Sequence, residues 1–248
     1  PIRTMIVQLE ALFIVIPWWI IVAIFGGMAY WASRKIVLTA IAVGCLVLIL
    51  LLGLWGMSMQ TLALMLISTF VSVLIGIPVG ILISYSNRLR SAVLPILDAM
   101  QTMPSFVYLI PALMLFGLGK VPAVFATFIY AVAPLVRLTD HGIRQVHQET
   151  VEAARSFGAT SWQLLRGVQI PLALPTIMAG INQTTMLALS MVVIASMIGA
   201  RGLGEQVLLG IQKLDVGRGF TAGVGIVALA IVLDRVTQAF GRRLDKTR

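Results

Sequence analysis

The residues whose types and spacing are most suggestive lie between positions 152 and 171. Glu152 is followed directly by Ala153 and Ala154, and after three further residues by Gly158. Two small side chains let another protein approach closely, a carboxylate accepts hydrogen bonds or pairs with a basic group, and a glycine permits a turn between helices. This chemistry is that of a docking surface.

The other reactive residue types do not form a catalytic or metal site. No G-x-x-x-x-G-K-[ST] phosphate loop occurs, so we do not expect the chain to hydrolyse ATP or to bind a cofactor itself. His141 and His147 fall on different faces of a helix without a nearby Cys or carboxylate set, so no metal is expected. Ser190 and Ser196 have no His in the same apolar stretch, which argues against an embedded hydrolase.

Composition places these residues in a membrane protein. Hydrophobic residues make up 59% of the 248 positions and charged residues 11%, with a mean hydropathy of +1.01. A soluble domain carries about a quarter charged residues. The net charge of +9 does not indicate nucleic acid, because the basic residues sit between apolar stretches instead of in one stripe.

About seven apolar stretches approach the ~20 residues needed to cross a bilayer as a helix, which predicts an all-α, polytopic fold. The fourth is short and interrupted by Pro111. The interval 139–174 is too polar to cross and predicts two short interfacial helices, separated at Gly158 and restarted by an N-cap at Thr160. The predicted spans are Leu12–Ala32, Ile36–Trp55, Thr61–Ser84, Pro104–Leu118, Ala123–Leu138, Thr176–Ile198 and Phe220–Phe240.

The basic residues are distributed unequally between the two sides. The positive-inside rule places the richer side in the cytoplasm, with the C-terminus and the interval 139–174. The richer side holds Arg34, Lys35, Arg88, Arg90, Arg137, Arg144, Arg155, Arg166, Arg235, Arg242, Arg243, Lys246 and Arg248. The other side holds Arg3, Lys120, Arg201, Lys213 and Arg218.

The segment between 152 and 171 resembles the EAA loop of ABC importer permeases. That pattern reads Glu-Ala-Ala, three residues, Gly, nine residues, then Ile-x-Leu-Pro, and this chain departs from it only by conservative changes at Val168 and Ile170. The resemblance assigns ATPase coupling to Glu152, Ala153, Ala154, Arg155, Gly158, Val168, Ile170 and Pro171. The alternatives are an interfacial amphipathic hairpin without a partner, and for Arg155 a plain positive-inside charge.

The resemblance implies a type I ABC importer permease fold with cytoplasmic coupling helices, and a division of the chain. Residues 1–56 would be N-terminal transmembrane helices outside the clear resemblance, and residues 57–248 the permease domain with its EAA loop at 139–175. The implied partners are an ATP-binding subunit that holds ATP and Mg²⁺, an external substrate-binding protein and a second permease subunit, as a homodimer. The implied location is the bacterial inner membrane.

Four further stretches resemble permeases for glycine betaine, proline betaine, choline and related osmoprotectants. They are LDAMQT at 97–102, LFGLG at 115–119, RSFGA at 155–159 and LALSMVVIASMI at 187–198. The resemblance implies import of a quaternary amine by alternating access. Aromatic faces attract such cations, which makes Phe106, Tyr108, Phe116 and Tyr130 candidates for the substrate path, although aromatic residues in spans also pack or form interfacial belts.

Buried polar residues add two more path candidates, Asn182 and Thr185, which could instead hydrogen-bond between helices across a permease dimer. A stand-alone secondary transporter or channel is the alternative function, but it would need intramembrane charges. Only Asp234 and Arg137 approach membrane depth. Asp98, Asp140 and Glu149 are expected to be boundary or surface charges.

Overall fold

The structure, a computed structural model, describes the backbone of residues 2–246 and the side chains of residues 3–241. The outer limits of the predicted domains, at residues 1 and 248, therefore lie outside the described residues. The same holds for the side chains of four basic residues counted on the predicted cytoplasmic side. They are Arg242, Arg243, Lys246 and Arg248.

Almost all of the described residues lie in helices and none of them lies in a strand, so the predicted all-α fold is confirmed. The first six α-helices are α1 (Ile2–Val15), α2 (Trp18–Ser33), α3 (Ile36–Leu51), α4 (Trp55–Tyr85), α5 (Asn87–Thr102) and α6 (Leu109–Phe116). The others are α7 (Lys120–Arg144), α8 (Gln148–Ser156), α9 (Ser161–Leu164), α10 (Ile170–Ile194), α11 (Leu203–Gln212) and α12 (Val216–Lys246). Short 3-10 turns occupy Ser105–Tyr108 and Ala195–Ile198, and a π turn occupies Leu165–Gln169.

Four helical segments in the described part are long and apolar enough to cross a membrane: α4, α7, α12 and the continuous segment Ser161–Ile198. Two bent pairs, α1 with α2 and α5 with α6, raise the number to six if each pair is one span. The apolar helix α3 has 16 residues, fewer than the ~20 needed for a full crossing. The seven predicted apolar stretches are thus helical, and the predicted number of about seven spans is approximate.

Two of the possible spans are pairs of helices joined at a sharp bend, and the first of these bends lies inside the predicted span Leu12–Ala32. The chain bends by 102° between α1 and α2, because Pro17 has no N–H to donate and disfavours a helical conformation for Ile16. It bends by 109° between α5 and α6, where Met103 and Pro104 adopt extended backbone angles. Pro111, the predicted interruption, instead lies in the first turn of α6, where a proline is tolerated.

Helix α7 packs closely between α4 and α10. A Cβ atom at Gly76 of α4 would lie 3.1 Å from Cδ2 of Leu135, and one at Gly80 would lie 2.5 Å from Cβ of Thr139. On α10, a Cβ atom at Gly180 would lie 3.2 Å from Cδ1 of Leu135. The small-xxx-small spacing of Gly76 and Gly80 therefore serves close helix packing.

We expect Gly80→Ala to destabilise the protein by about 1–3 kcal/mol, the usual cost of overpacking, because the added methyl group meets Thr139 and the backbone oxygen of Val136. Gly56→Ala on the same helix is the matched control, since a Cβ there meets no atom within 4 Å. Thermal unfolding of the purified variants in detergent measures the difference. Equal midpoints for the two variants would contradict the close α4–α7 contact.

Candidate functional site

The loop segment, residues 145–169, connects α7 to α10 and contains α8, α9 and the π turn. It is shorter than the predicted interval 139–175, because α7 remains helical through Arg144 and α9, the π turn and α10 form one unbroken helical segment. The prediction of two short interfacial helices is therefore wrong for the second helix. Only α8 is a separate helix, and α9 is the first turn of a span.

Helix α8 presents the first half of the predicted coupling motif to solvent. Glu152, Ala153 and Arg155 are exposed and Ala154 is half-buried. None of the nine residues of α8 is buried, and the helix packs mainly against α9 and the π turn. The helix therefore has no core contact that would fix it firmly to the bundle.

Gly158 ends α8 in a left-handed conformation, with φ of 80°. Its N–H donates to the carbonyl of Arg155 at 2.9 Å and the N–H of Ala159 donates to the carbonyl of Ala154 at 3.1 Å, the two bonds of a Schellman motif. Thr160 then begins α9 with a capping box shared with Gln163. The predicted turn at Gly158 and N-cap at Thr160 are both confirmed.

The second half of the motif lies in a helix and is partly covered. Val168 belongs to the π turn, Ile170 and Pro171 form the start of α10, and all three are half-buried. Pro171 thus lies inside the continuous helical segment Ser161–Ile198 and does not separate the loop from the span. The wider π turn before it accommodates a residue that cannot donate an N–H and whose ring crowds the preceding helical turn.

Two large apolar side chains in the loop segment were not singled out from the sequence. Phe157 is 93% exposed at the turn after α8, and Trp162 is 65% exposed on α9. Large apolar residues within an otherwise polar segment outside the apolar spans are the sequence signal that could have identified them. We group these two residues with three exposed residues of α8 under the name α8 surface: Glu152, Ala153, Arg155, Phe157 and Trp162.

A cavity of about 360 Å³ lies beside α8, between the ends of α4 and α7 and the π turn. Arg144, Glu152 and Arg155 contribute charges to its lining. At its edge the hydroxyl of Tyr85 donates a hydrogen bond to Oε1 of the buried Gln169. The end of α4 is thus bonded to the π turn.

Asp140 is not the surface charge that was predicted. It is 2% exposed, and its carboxylate accepts hydrogen bonds from Nε of Arg90 at 2.9 Å and from Nε of Arg144 at 2.8 Å. The prediction fails because both cations lie close enough to compensate a buried carboxylate. Asp98, by contrast, is exposed as predicted and forms an ion pair with Arg137.

The predicted aromatic path residues fall into two groups. The ring of Tyr108 meets that of Tyr130 edge to face, with centroids 6.0 Å apart, and Phe106 lies exposed in the same 3-10 turn as Tyr108. Phe116 is stacked on Phe125 with centroids 4.5 Å apart. It borders a separate cavity of 490 Å³ at the opposite end of α7 from the loop segment.

The polar candidates Asn182 and Thr185 form their hydrogen bonds with residues other than the aromatic candidates. Asn182 donates to Oδ1 of Asp234 at 3.4 Å and accepts from the hydroxyl of Thr237, so it joins α10 to α12. Thr185 is buried and donates to the carbonyl of Ile181 at 2.7 Å on its own helix. The helix-to-helix bonds foreseen as an alternative for Asn182 therefore exist within one chain.

The bundle of long apolar helices with an exposed helical loop defines a multi-pass membrane protein. The chain belongs to the family of binding-protein-dependent transport system inner membrane components, whose match covers residues 72–246. It is a permease component of an ABC importer, which decides against the stand-alone transporter or channel.

Several characterised proteins are similar to it. The glycine betaine/carnitine transport permease protein GbuB of Listeria monocytogenes is 53% identical, covering 92% of this chain and 81% of GbuB. The glycine betaine transport system permease protein OpuAB of Bacillus subtilis is 49% identical, covering 90% of this chain and 79% of OpuAB. The glycine betaine/proline betaine permease protein ProW of Salmonella typhimurium is 59% identical over 77% of this chain, which spans 54% of the length of ProW.

The fold also matches a solved structure. An inward-facing form of the MetNI methionine ABC transporter aligns with a TM-score of 0.69 at 23% identity, covering 77% of this chain and 95% of the matched one. This similarity supports the predicted type I permease fold.

We expect Gly158→Ala to weaken the turn after α8 by about 1–2 kcal/mol, because a Cβ atom is unfavourable in the left-handed conformation. Gly167→Ala in the π turn is the matched control, since that position has no positive φ and no atom within 4 Å of an added Cβ. Hydrogen exchange of amides in residues 148–165 should accelerate about fivefold or more in the first variant only. Unchanged exchange would show that the turn tolerates a side chain.

Proposed function

We propose that this permease works with a separate ATP-binding subunit, and that the α8 surface is where that subunit docks. The observation that carries the proposal is that α8 buries none of its side chains while Phe157 and Trp162 are exposed beside it. A nine-residue helix is only marginally stable in water on its own. Contact with a partner would supply the apolar burial that α8 lacks.

The chemistry of the chain supports an ATP-binding partner in particular. The sequence has no phosphate loop, so ATP and Mg²⁺ would bind to the other subunit. The α8 surface carries an exposed carboxylate at Glu152 and an exposed guanidinium at Arg155, which provide directional polar contacts around the apolar residues. Two of its residues, Glu152 and Ala153, also belong to the EAA pattern.

The same proposal implies an orientation of the chain in a bacterial inner membrane. Arg144, Arg155 and Arg166 lie at the α8 end of the bundle, which the positive-inside rule places in the cytoplasm together with the C-terminus. The opposite end, with its 490 Å³ cavity lined by Glu10 and Lys120 among others, would face an external substrate-binding protein. A second copy of the chain would complete a homodimer.

We propose a quaternary amine, with glycine betaine as the principal case, as the substrate. The names of GbuB, OpuAB and ProW share glycine betaine as the transported compound. The edge-to-face pair Tyr108 and Tyr130, with the exposed Phe106 beside it, offers aromatic faces that attract a cation.

We expect Glu152→Lys and Phe157→Asp to abolish most uptake by the reconstituted complex of permease, ATP-binding subunit and binding protein. Each variant changes the charge or the apolar character of the α8 surface without touching a buried residue. Loss of one interface anchor weakens binding of the partner by about tenfold or more. Co-purification of the ATP-binding subunit and ATP-driven uptake are the two measurements.

Leu214→Asp is the matched control, because Leu214 is 87% exposed in the loop between α11 and α12, at the opposite end of the bundle. It should leave co-purification of the ATP-binding subunit unchanged. If Glu152→Lys and Phe157→Asp insert normally and still couple ATP hydrolysis to uptake, the docking proposal is wrong.

Uptake of labelled glycine betaine should be inhibited by excess proline betaine or choline and far less by dimethylglycine. The tertiary amine carries an N–H and fewer methyl groups, so it loses part of an aromatic contact worth about 0.5–2 kcal/mol. Competition in proteoliposomes containing the complete complex measures this preference. Equal inhibition by dimethylglycine and choline would count against a site for quaternary amines.

A further inference from the structure

The buried carboxylate of Asp140 joins the end of α7 to α5. Its two oxygens receive different donors: Oδ1 accepts from Arg144, four residues later on α7, and Oδ2 accepts from Arg90 on α5. Because Asp140 is 2% exposed, loss of both cations would leave an uncompensated buried charge. The carboxylate therefore holds the end of α7 and the start of α5 together.

Arg144 extends this contact to α4. Its Nη1 donates to Oδ1 of Asn87 at 2.9 Å and its Nη2 donates to the carbonyl of Ile83 at 3.0 Å. Arg144 is the last residue of α7, and α8 begins at Gln148 after a short connection. Arg144 is therefore the bundle residue that lies nearest to α8 along the chain on that side of the loop segment.

The far end of α5 is bonded to the break between α5 and α6. The hydroxyl of Tyr108 donates to the carbonyl of Met100 in the last turns of α5. The ring of Tyr108 in turn contacts Tyr130 on α7. Helix α5 is thus connected at its start to the end of α7, and near its other end to the aromatic pair.

We propose that Arg90 and Asp140 are positioning residues that transmit movement of the docked α8 through α5 to the break at Met103 and Pro104. This inference rests on the proposed function and specifies the route by which ATP-driven movement enters the membrane helices. A second ion pair, Asp98 with Arg137, joins the same two helices. Its carboxylate is exposed, unlike that of Asp140, and exposed ion pairs contribute little to stability.

The principal test is Arg90→Gln in the reconstituted complex. This variant is expected to fold, because Asp140 keeps its ion pair with Arg144. We expect uptake per ATP hydrolysed to fall about tenfold, as for the loss of one hydrogen bond between charged groups, while ATP hydrolysis stays within about twofold. Arg90→Lys, which keeps the positive charge, should restore most of the ratio.

Two further variants separate transmission from simple stabilisation. Asp98→Asn removes the exposed ion pair between the same helices and should leave uptake per ATP unchanged. The double variant Arg90→Gln with Asp140→Asn should lose less coupling than the sum of the losses of the two single variants, because both residues act in one route. Size-exclusion chromatography of each complex confirms assembly before the ratio is measured.

The inference is overturned if Arg90→Gln lowers uptake and ATP hydrolysis in proportion, or if Asp98→Asn lowers their ratio equally. It is also overturned if the two substitutions of the double variant reduce coupling additively. Glu152→Lys in the same assay separates this inference from the docking proposal. If Glu152→Lys uncouples the complex and Arg90→Gln does not, only the route through Arg90 is wrong, whereas full coupling in Glu152→Lys contradicts docking itself.

Discussion

The close packing of α7 between α4 and α10 is the contact on which the rest of the structure depends. In lipid, apolar side chains gain nothing by leaving their surroundings, so helices associate through tight van der Waals contact. Gly76, Gly80 and Gly180 permit that contact. Helix α7 carries Tyr130 in its middle and Asp140 and Arg144 at its end, so the positions of the aromatic pair and of the ion-pair cluster both follow from it.

The features that could be predicted from the sequence are those settled by neighbouring residues. The turn at Gly158 and the cap at Thr160 depend on hydrogen bonds that span no more than five positions, and such residue types have few other uses there. The helical character of the apolar stretches follows from composition, because only helices satisfy backbone polar groups within such a segment. The family resemblance rested on the same local pattern.

The features that escaped prediction depend on residues far apart in sequence. Asp140 was expected to be a boundary or surface charge, but it is buried, and Arg90, which compensates it, lies 50 positions away. The partners of Asn182 on α12 are similarly distant. Which aromatic residues contact substrate stays a prediction, because the same residue types serve packing and cation binding equally well.

The unbroken helical segment Ser161–Ile198 has a mechanical consequence. At 1.5 Å per residue, its 38 residues extend about 57 Å, nearly twice the ~30 Å of hydrocarbon it crosses. Trp162 sits on the part nearest α8, so the exposed end of this segment and its membrane-embedded part form a single rod. A rigid-body tilt of about 5° displaces one end relative to the other by about 5 Å, so a small rotation at the membrane corresponds to a side-chain-sized movement at Trp162.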